Sequence, residues 1–290
     1  SEPFAWAAFR ANTDMKLSQI VGETGRVVLS DTIDAGNVVN VSFRHEYTSP
    51  VVVAFINTRN GVESVAPRIK EVTATGCIIF MQEPDHQGHM AETVSYIVAE
   101  EGRYELDDGL IFEAGAIETD KGREKGEIFE GDQITFSQSF QHPPAVLHSL
   151  NTHTNEDFTA SLATKITSHG FEIAQEYAET GGWNIVEETI AWIAFETGSG
   201  ATNGNKYIIG MNDDGISNGV DDTAYVIDLS SAGYEVPPDV VVAVNGINGR
   251  DGSWARGSGL YNTNTQGVYT EEDQIFDTER AHTSEPFAWA

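Results

Sequence analysis

The segment Ser1-Glu2-Pro3-Phe4-Ala5-Trp6-Ala7 returns letter for letter as Ser284-Glu285-Pro286-Phe287-Ala288-Trp289-Ala290, at the other end of the chain. Seven identities that include a tryptophan mark a repeat, and a repeat constrains a fold more than any composition does. Two relatives of the segment lie between these copies. Glu92-Thr93-Val94-Ser95-Tyr96-Ile97-Val98-Ala99-Glu100 and Glu188-Thr189-Ile190-Ala191-Trp192-Ile193-Ala194-Phe195-Glu196 align with residues 2–10 without a gap. The aromatic therefore recurs at Trp6, Tyr96, Trp192 and Trp289, at intervals of 90, 96 and 97 residues. Each interval is long enough for a small core of its own. Phe4, Trp6 and Ala8 share one face at period two, the pattern of a strand. The segment reads as the closing strand of a unit, present four times for three complete units.

The rest of each unit repeats with it. Val39, Val41, Phe43 and Tyr47 alternate with polar residues, and Pro50 turns the chain into the apolar run Val51–Ile56. Ile134, Phe136 and Phe140 precede Pro143-Pro144 and Ala145-Val146-Leu147, and Tyr225, Ile227 and Leu229 precede Pro237-Pro238 and residues 240–244. Turn glycines follow at Gly76, Gly170 and Gly267. Short strands, frequent turn signals and scarce helical periodicity predict an all-β chain of three tandem antiparallel β-sandwich domains, each about 90–97 residues long. The boundaries read as residues 1–10, the closing strand of a preceding or neighbouring repeat; 11–101, the first sandwich; 102–197, the second; and 198–290, an acidic connector with the third. Residues 118–127 and 198–219 read as connectors. Units on short linkers predict a beaded rod, and the duplicate equally suits the edge of a repeat in a symmetric filament. Residues 1–10 are expected either to complete a domain of an adjacent copy or to pack as the orphan end of a severed one.

Charge narrows the partners. Sixteen Lys and Arg stand against 45 Asp and Glu, a formal net charge of -29. Nucleic acid and anionic membrane surfaces are poor partners for such a chain. No apolar stretch is long enough to insert into a membrane as a helix. The acidic residues are dispersed, as on the solvated faces of folded domains, and suit saline surroundings or cation binding. The single cysteine, Cys77, precludes an intramolecular disulfide and sits in an apolar run as a small buried hydrophobe.

The landmarks resemble the H-type lectin domain of snail agglutinins. The matching pieces are Phe43, Tyr47-Thr48-Ser49-Pro50-Val51-Val52-Val53, Thr75-Gly76 and Ser95-Tyr96-Ile97 in the first unit. Phe136, Phe140, Pro143-Pro144-Ala145-Val146, His169-Gly170-Phe171 and Ala191-Trp192-Ile193-Ala194 follow in the second. Tyr234, Pro237-Pro238, Val240-Val241, Gln266-Gly267 and Ala288-Trp289 complete the third. The resemblance spans nearly the whole chain and rests on core and turn residues, so it speaks first to fold. It implies six-stranded sandwiches that often assemble as trimers and bind N-acetylgalactosamine-type sugars. The family's sugar-binding arginine falls on Ser64, Phe158 and Ala255, and its Trp-His pair on Pro84-Asp85 in the first unit, with Trp183 and His282 nearby in the others. That site is not carried over in any unit.

Other residues carry sugar-type chemistry. Each unit writes Asn, a small residue and a cation or imidazole after its third strand, as Asn57-Thr58-Arg59, Asn151-Thr152-His153 and Asn248-Gly249-Arg250. Planar donor forks suit vicinal hydroxyls, although Asn in a loop equally caps its own turn. Trp254, beside Arg250, Asp251 and Arg256, offers an indole of the kind that stacks on a pyranose face. The candidate carbohydrate-binding set is therefore Asn57, Arg59, Asn151, His153, Trp183, Asn248, Arg250, Asp251, Trp254 and Arg256. Asp213, Asp214, Asn218, Asp221 and Asp222 supply hard oxygens at short spacing, so Ca2+ is the candidate ion, against a plain acidic linker. The loop from Asp85 to His89 has two histidines but lacks the ligand count of a zinc site. No phosphate loop or nucleophile elbow is present, and no enzyme is expected. The sequence thus predicts an extracellular or cell-surface adhesive array that binds glycans, and copies of itself through strand or domain contacts. The alternatives are a structural filament or surface-layer subunit without sugar binding, and a non-catalytic module of a polysaccharide-degrading enzyme.

Overall fold

The computed structural model describes residues 6–17, 19–123, 128–177, 186–211, 220–249, 252–273, 275 and 287–289. A first strand, β1 (Trp6–Phe9), precedes the first unit. That unit holds β2 (Asp14–Lys16), β3 (Ile20–Leu29), β4 (Val39–Ser42), β5 (Pro50–Ile56), β6 (Ala66–Thr73), β7 (Gly76–Gln82) and β8 (Glu92–Glu100). The second holds β9 (Gly102–Glu105), β10 (Ile111–Thr119), β11 (Gly122–Arg123), β12 (Asp132–Thr135), β13 (Ala145–Leu150), β14 (Ala160–Thr167), β15 (Gly170–Glu176) and β16 (Glu188–Phe195). The third holds β17 (Gly198–Thr202), β18 (Asn205–Met211), β19 (Tyr225–Asp228), β20 (Asp239–Val244), β21 (Trp254–Tyr261), β22 (Thr265–Glu271) and β23 (Phe287–Trp289). The fold is all-β, as expected; among the described residues the one helical turn is Ser230–Ala232.

Each unit sets two sheets against each other, of four and three strands in the first, four and four in the second, and five and three in the third. In the first, β2-β3-β8-β5 stands against β4-β7-β6; in the second, β9-β10-β16-β13 stands against β12, β15 and β14, with short β11 added in parallel to β15. In the third, β17 and β18 flank one side of a slot and β20 the other, opposite β19-β22-β21. The apolar runs show why the units do not string out as a rod. Val52, Ala54 and Ile56 of β5 enter their own sandwich core with Ile69 and Ile79, while Val51, Val53 and Phe55 face a second core shared with Leu147, Ile193 and Val240. A strand buried on both faces loses its polar alternation. The equivalent strands β5, β13 and β20 all touch one another, so the units surround a pseudo-threefold axis. The expected beaded rod is corrected to a ring.

The closing strands seat by one rule. Tyr96 pairs with Gly25, Trp192 with Gly115 and Trp6 with Gly210. A Cβ on Gly25 would lie 2.4 Å from the Tyr96 hydroxyl oxygen, and one on Gly115 would lie 2.8 Å from Trp192 Cζ2. In the first and second units, glycine opposite the aromatic makes room for the ring.

Strand β1 fills the slot of the third unit, antiparallel to both β18 and β20. The sequence led us to expect that it completes an adjacent copy or packs as an orphan end; in this chain it pairs within the third unit and links the first residues to the last unit. Ala7, Ala8 and Phe9 are fully buried there, with the Phe9 ring 5.8 Å from Phe195 and 5.7 Å from Tyr207. Two further expectations change. Residues 198–219 begin with the hairpin β17–β18, not a connector, because Tyr207-Ile208-Ile209 enters the shared core. The turn equivalent to Gly76 and Gly170 falls on Thr265, since Ile227 pairs with Gln266 as Val41 pairs with Cys77 and Ile134 with Phe171; Gly267 lies two residues further along β22.

Candidate functional site

The side chains with binding chemistry gather where units meet. At the end of β5, Asn57 donates from Nδ2 to the Val240 carbonyl, 2.9 Å away. At the end of β13, Asn151 accepts from Val52 N at 3.0 Å and donates to Val52 O at 2.7 Å. After β20, Asn245 donates to Val146 O at 2.8 Å. Each asparagine reaches the backbone near the start of the neighbouring central strand, so three buried amides stitch the ring in a closed cycle. The carboxamide suits this post, because its NH2 reaches a backbone carbonyl of the neighbouring unit without bringing a charge into the core. The repeat in the third unit therefore falls on Asn245, not on Asn248 as the sequence suggested.

Between the third and first units lies a buried charge cluster. Arg256 on β21 donates to Glu271 at 2.8 Å and to Glu92 at 3.1 Å, and to the carbonyls of Glu63 and Gly61. His89 sits between Glu83 and Glu92, at 2.6 and 3.2 Å. Glu92 also accepts from the Thr58 hydroxyl and from Asn60 N and Gly61 N. Burial alone would raise the Glu92 pKa, but these donors, His89 foremost, hold it down at about 2. Burial opposes charge on His89, yet Glu83 and Glu92 raise its pKa to about 9 despite the nearby Arg256. Two cations and three carboxylates are thus sealed in one seam.

The seam between the first and second units is built on the same plan with fewer charges. Arg68 on β6 stands at the register position of Arg256, opposite Phe80 as Arg256 is opposite Tyr269. It crosses to Glu188 at 3.3 Å and to Gln82 at 2.8 Å. Glu188 accepts from the Thr152 hydroxyl and from Thr154 N and Asn155 N, as Glu92 does in its own loop. Burial lowers the Arg68 pKa to about 10 against the pull of Glu188. The second unit has Leu162 at this position, opposite Ala174, so the third seam has no counterpart of this arginine. Across that seam His148 donates to Val244 O and accepts from the Ser161 hydroxyl, both at 2.8 Å. Full burial keeps the His148 pKa at about 4 against the pull of that carbonyl, so the ring is neutral. Arg123, paired with Glu176, reaches Gly249 O at 2.9 Å.

The sequence candidates take structural posts. Asn57 and Asn151 are two of the three axial amides. Arg59 lies over the Tyr269 ring, 4.6 Å from its centroid. His153 meets the Phe80 ring at 4.9 Å, and burial first, then the charges of Arg68 and Lys70, lower its pKa to about 4. The exposed platform expected at Trp254 is a buried side chain: 5% exposed, donating to Val65 O at 3.0 Å and 4.7 Å from the Phe158 ring. It shares a cluster with Ala66 and Phe158, one residue from each unit, and so stands where all three meet. Arg256 is fully buried. Asn248 is exposed. Trp183, Arg250 and Asp251 lie outside the described residues, as do Asp213, Asp214 and Asn218. Of the remaining calcium candidates, Asp222 is exposed, whereas Asp221 accepts from Thr223 N and its hydroxyl and offers its carbonyl to Thr270 N. Asp221 thus closes a turn against β22.

A cavity of about 50 Å³ lies near the axis, lined by residues that include His148, Ser149, Ser161 and Trp254. Pockets that enclose small organic ligands run to about 300 Å³ or more. The axial cavity suits water rather than a sugar. Glu63, Glu83 and His89 bring ligand atoms within 4.8 Å of one another. A divalent ion there would have to break the His89 pairing beside the Arg256 guanidinium, which weighs against the site.

Sequence reasoning passed over Arg68, Glu92, Glu188, His148 and Asn245. One signal was in view: the aligned closing strands all begin with glutamate, at positions 2, 92, 188 and 285. In the two that are described, this residue receives a loop of its own unit and the arginine of the neighbouring one.

No family profile matches the chain. No solved structure matches it either. Among curated proteins the chain is similar to halomucin from Haloquadratum walsbyi (strain DSM 16790 / HBSQ001), 28% identical over 259 residues. That match covers 84% of this chain but only 3% of the relative, so the chain spans a small part of a very long protein's length.

Proposed function

We propose that the chain is a structural module of a long, repetitive extracellular or surface protein of saline surroundings, a brick rather than a catalyst or a lectin. The observation that carries this reading is the use made of the polar side chains. The described residues suited to sugar hydroxyls are largely spent on stitching the units together: Asn57 and Asn151 at the axis, and Arg256 and Trp254 inside buried seams. A side chain sealed in a seam is out of reach of a glycan's hydroxyls. The formal charge of -29 supports the saline setting, as does similarity to a relative whose name joins salt and mucin. Dense like charge loosens a compact chain at low ionic strength and is screened at high.

The test has two arms on the intact chain. On a glycan array that includes N-acetylgalactosamine-terminated structures, no glycan should be retained. In a sodium chloride series from 0.1 to several molar, the thermal midpoint should rise steadily. A glycan bound by the wild type and lost in Arg59→Ala would restore the adhesive lectin reading. A midpoint indifferent to salt would remove the saline one.

A further inference from the structure

Strand β4 differs from its equivalents at two exposed positions. Val41, and Phe43 just beyond the strand, turn into the first core, so Asn40 and Ser42 point outward together, about 7 Å apart along an extended backbone. Register matches them to Gln133 and Thr135 in the second unit and to Val226 and Asp228 in the third, because Val41, Ile134 and Ile227 pair with Cys77, Phe171 and Gln266. The Gln133 carboxamide is spent on the carbonyls of Ile134 and Phe171, at 3.1 and 2.9 Å. Among the described residues none hydrogen-bonds the Asn40 carboxamide, which stands exposed. Asn40-Val41-Ser42 is also the one Asn-X-Ser/Thr triplet in the chain. Asn12, Asn203 and Asn264 leave their carboxamides unbonded too, but Asp14, Asn205 and Gln266 stand two residues on. A carboxamide is a poor nucleophile, and the enzymes that glycosylate it demand a hydroxyl at that second position and a surface they can reach.

We propose that Asn40 is an N-glycosylation site whose glycan caps the open edge of β4. In the transfer, Asn40 Nδ2 bonds to the anomeric carbon of a sugar donated from a lipid-linked phosphate or pyrophosphate. The anomeric C–O bond breaks, the phosphate leaves with the electron pair, and the amide gives up one proton. Nothing is oxidised or reduced. The edge accounts for the placement. Strand β4 has β7 as its one strand neighbour, and an unpartnered edge is a template for pairing with another chain. Charged side chains blunt such edges, and the equivalent strands β12 and β19 carry Asp132 and Asp228. Val39-Asn40-Val41-Ser42 carries none. A bulky, hydrated glycan replaces the missing charge without adding to a total of -29. This inference rests on the extracellular reading above, since such triplets are glycosylated in secreted chains.

The test fractionates the cells that make the protein and maps the tryptic peptide Val27–Arg44 by mass spectrometry. In the medium or surface fraction this peptide should carry a sugar mass on Asn40 and none on Asn37. In variants made by the same cells, Ser42→Ala should lower occupancy at least tenfold, and Ser42→Thr should keep it. Ser42 is exposed, so neither change disturbs the core. A bare Asn40 in protein recovered from the surface would overturn the site and leave the extracellular reading in place. Protein confined to the cytoplasm would overturn both. Sugar retained in Ser42→Ala would overturn recognition through the hydroxyl. For the edge, Asn40→Gln should dimerise in sedimentation at a concentration at least tenfold below that of the glycosylated protein, and Asn40→Lys should restore the monomer. Equal association of glycosylated and bare protein would overturn the capping role.

Discussion

The first and third units solve the same closure in different ways. The first takes β8 from its own stretch of chain, nine residues seated between β3 and β5. The third takes β1, from about 200 residues upstream of its other strands. The local geometry is alike in both: an aromatic opposite a glycine, apolar residues buried on both faces, and a central strand beyond. What differs is connectivity. The closing strand is therefore a separable part whose recognition lies in side chains and register and not in chain order. It also ties the first residues of the chain to its last unit, which β8 does not.

Substitutions where β1 packs on β16, the second unit's own closing strand, test the separable strand against a local one. The largest effect is expected at the shared ring of aromatics: Phe9→Ala on β1 and Phe195→Ala on β16 should each cost about 3–5 kcal/mol in denaturant unfolding. Residues 284–290 have no counterpart of Phe9, so the second copy cannot rescue the first. A Phe9→Ala chain as stable as wild type would mean that β1 does not close the third unit.

The seams differ in charge, and that too can be broken. Arg256→Met leaves Glu92 and Glu271 facing each other in the dark of the seam and should cost about 3–5 kcal/mol. Arg68→Met strands a single carboxylate, Glu188, and should cost about half as much. Equal losses at the two sites would show that the extra carboxylate does not set the difference.

Acid should act on the seam that lacks the arginine. The unfolded chain takes up a proton at His148 near pH 6.5, while the folded chain holds the ring neutral down to about 4. Stability present above pH 6.5 is therefore lost as pH falls through that window, on the order of 3 kcal/mol. His153 adds a loss of the same sign. His89 works in the opposite sense: its contribution is full below pH 6.5 and is lost as pH rises through about 9. Thermal midpoints should peak near pH 6.5 and fall on both sides, and His148→Gln should flatten the acid limb. The smallest effects belong to the axial amides. Asn57→Ala, Asn151→Ala and Asn245→Ala should cost about 1–2 kcal/mol each, and similarly, if the pseudo-threefold cycle is sound.

Much of this architecture was legible in the chain. The repeat period, the all-β class and the closing strand follow from recurrence and period-two patterning, which are local. The strands β3, β10 and β18 were not seen, because Gly25, Gly115 and Gly210 interrupt their apolar runs. Those glycines are meaningful only once the facing aromatic is known. The ring was hidden for a similar reason: Val51–Ile56 is apolar throughout, which suits a buried strand but does not name what buries its second face. Asn57 and Arg256 were singled out for their donors, and their donors are indeed used, on the protein's own backbone and carboxylates. Residue type announced the chemistry, and only the assembled fold supplied its partner.

The central claim is that three sandwiches close into one ring instead of trailing as a row, and small-angle scattering from dilute chain in high salt tests it most directly. A ring of this length packed as one body should have a radius of gyration of about 19 Å. Three such beads strung one diameter apart would give about 29 Å by the same scaling, and a value near that would contradict the account.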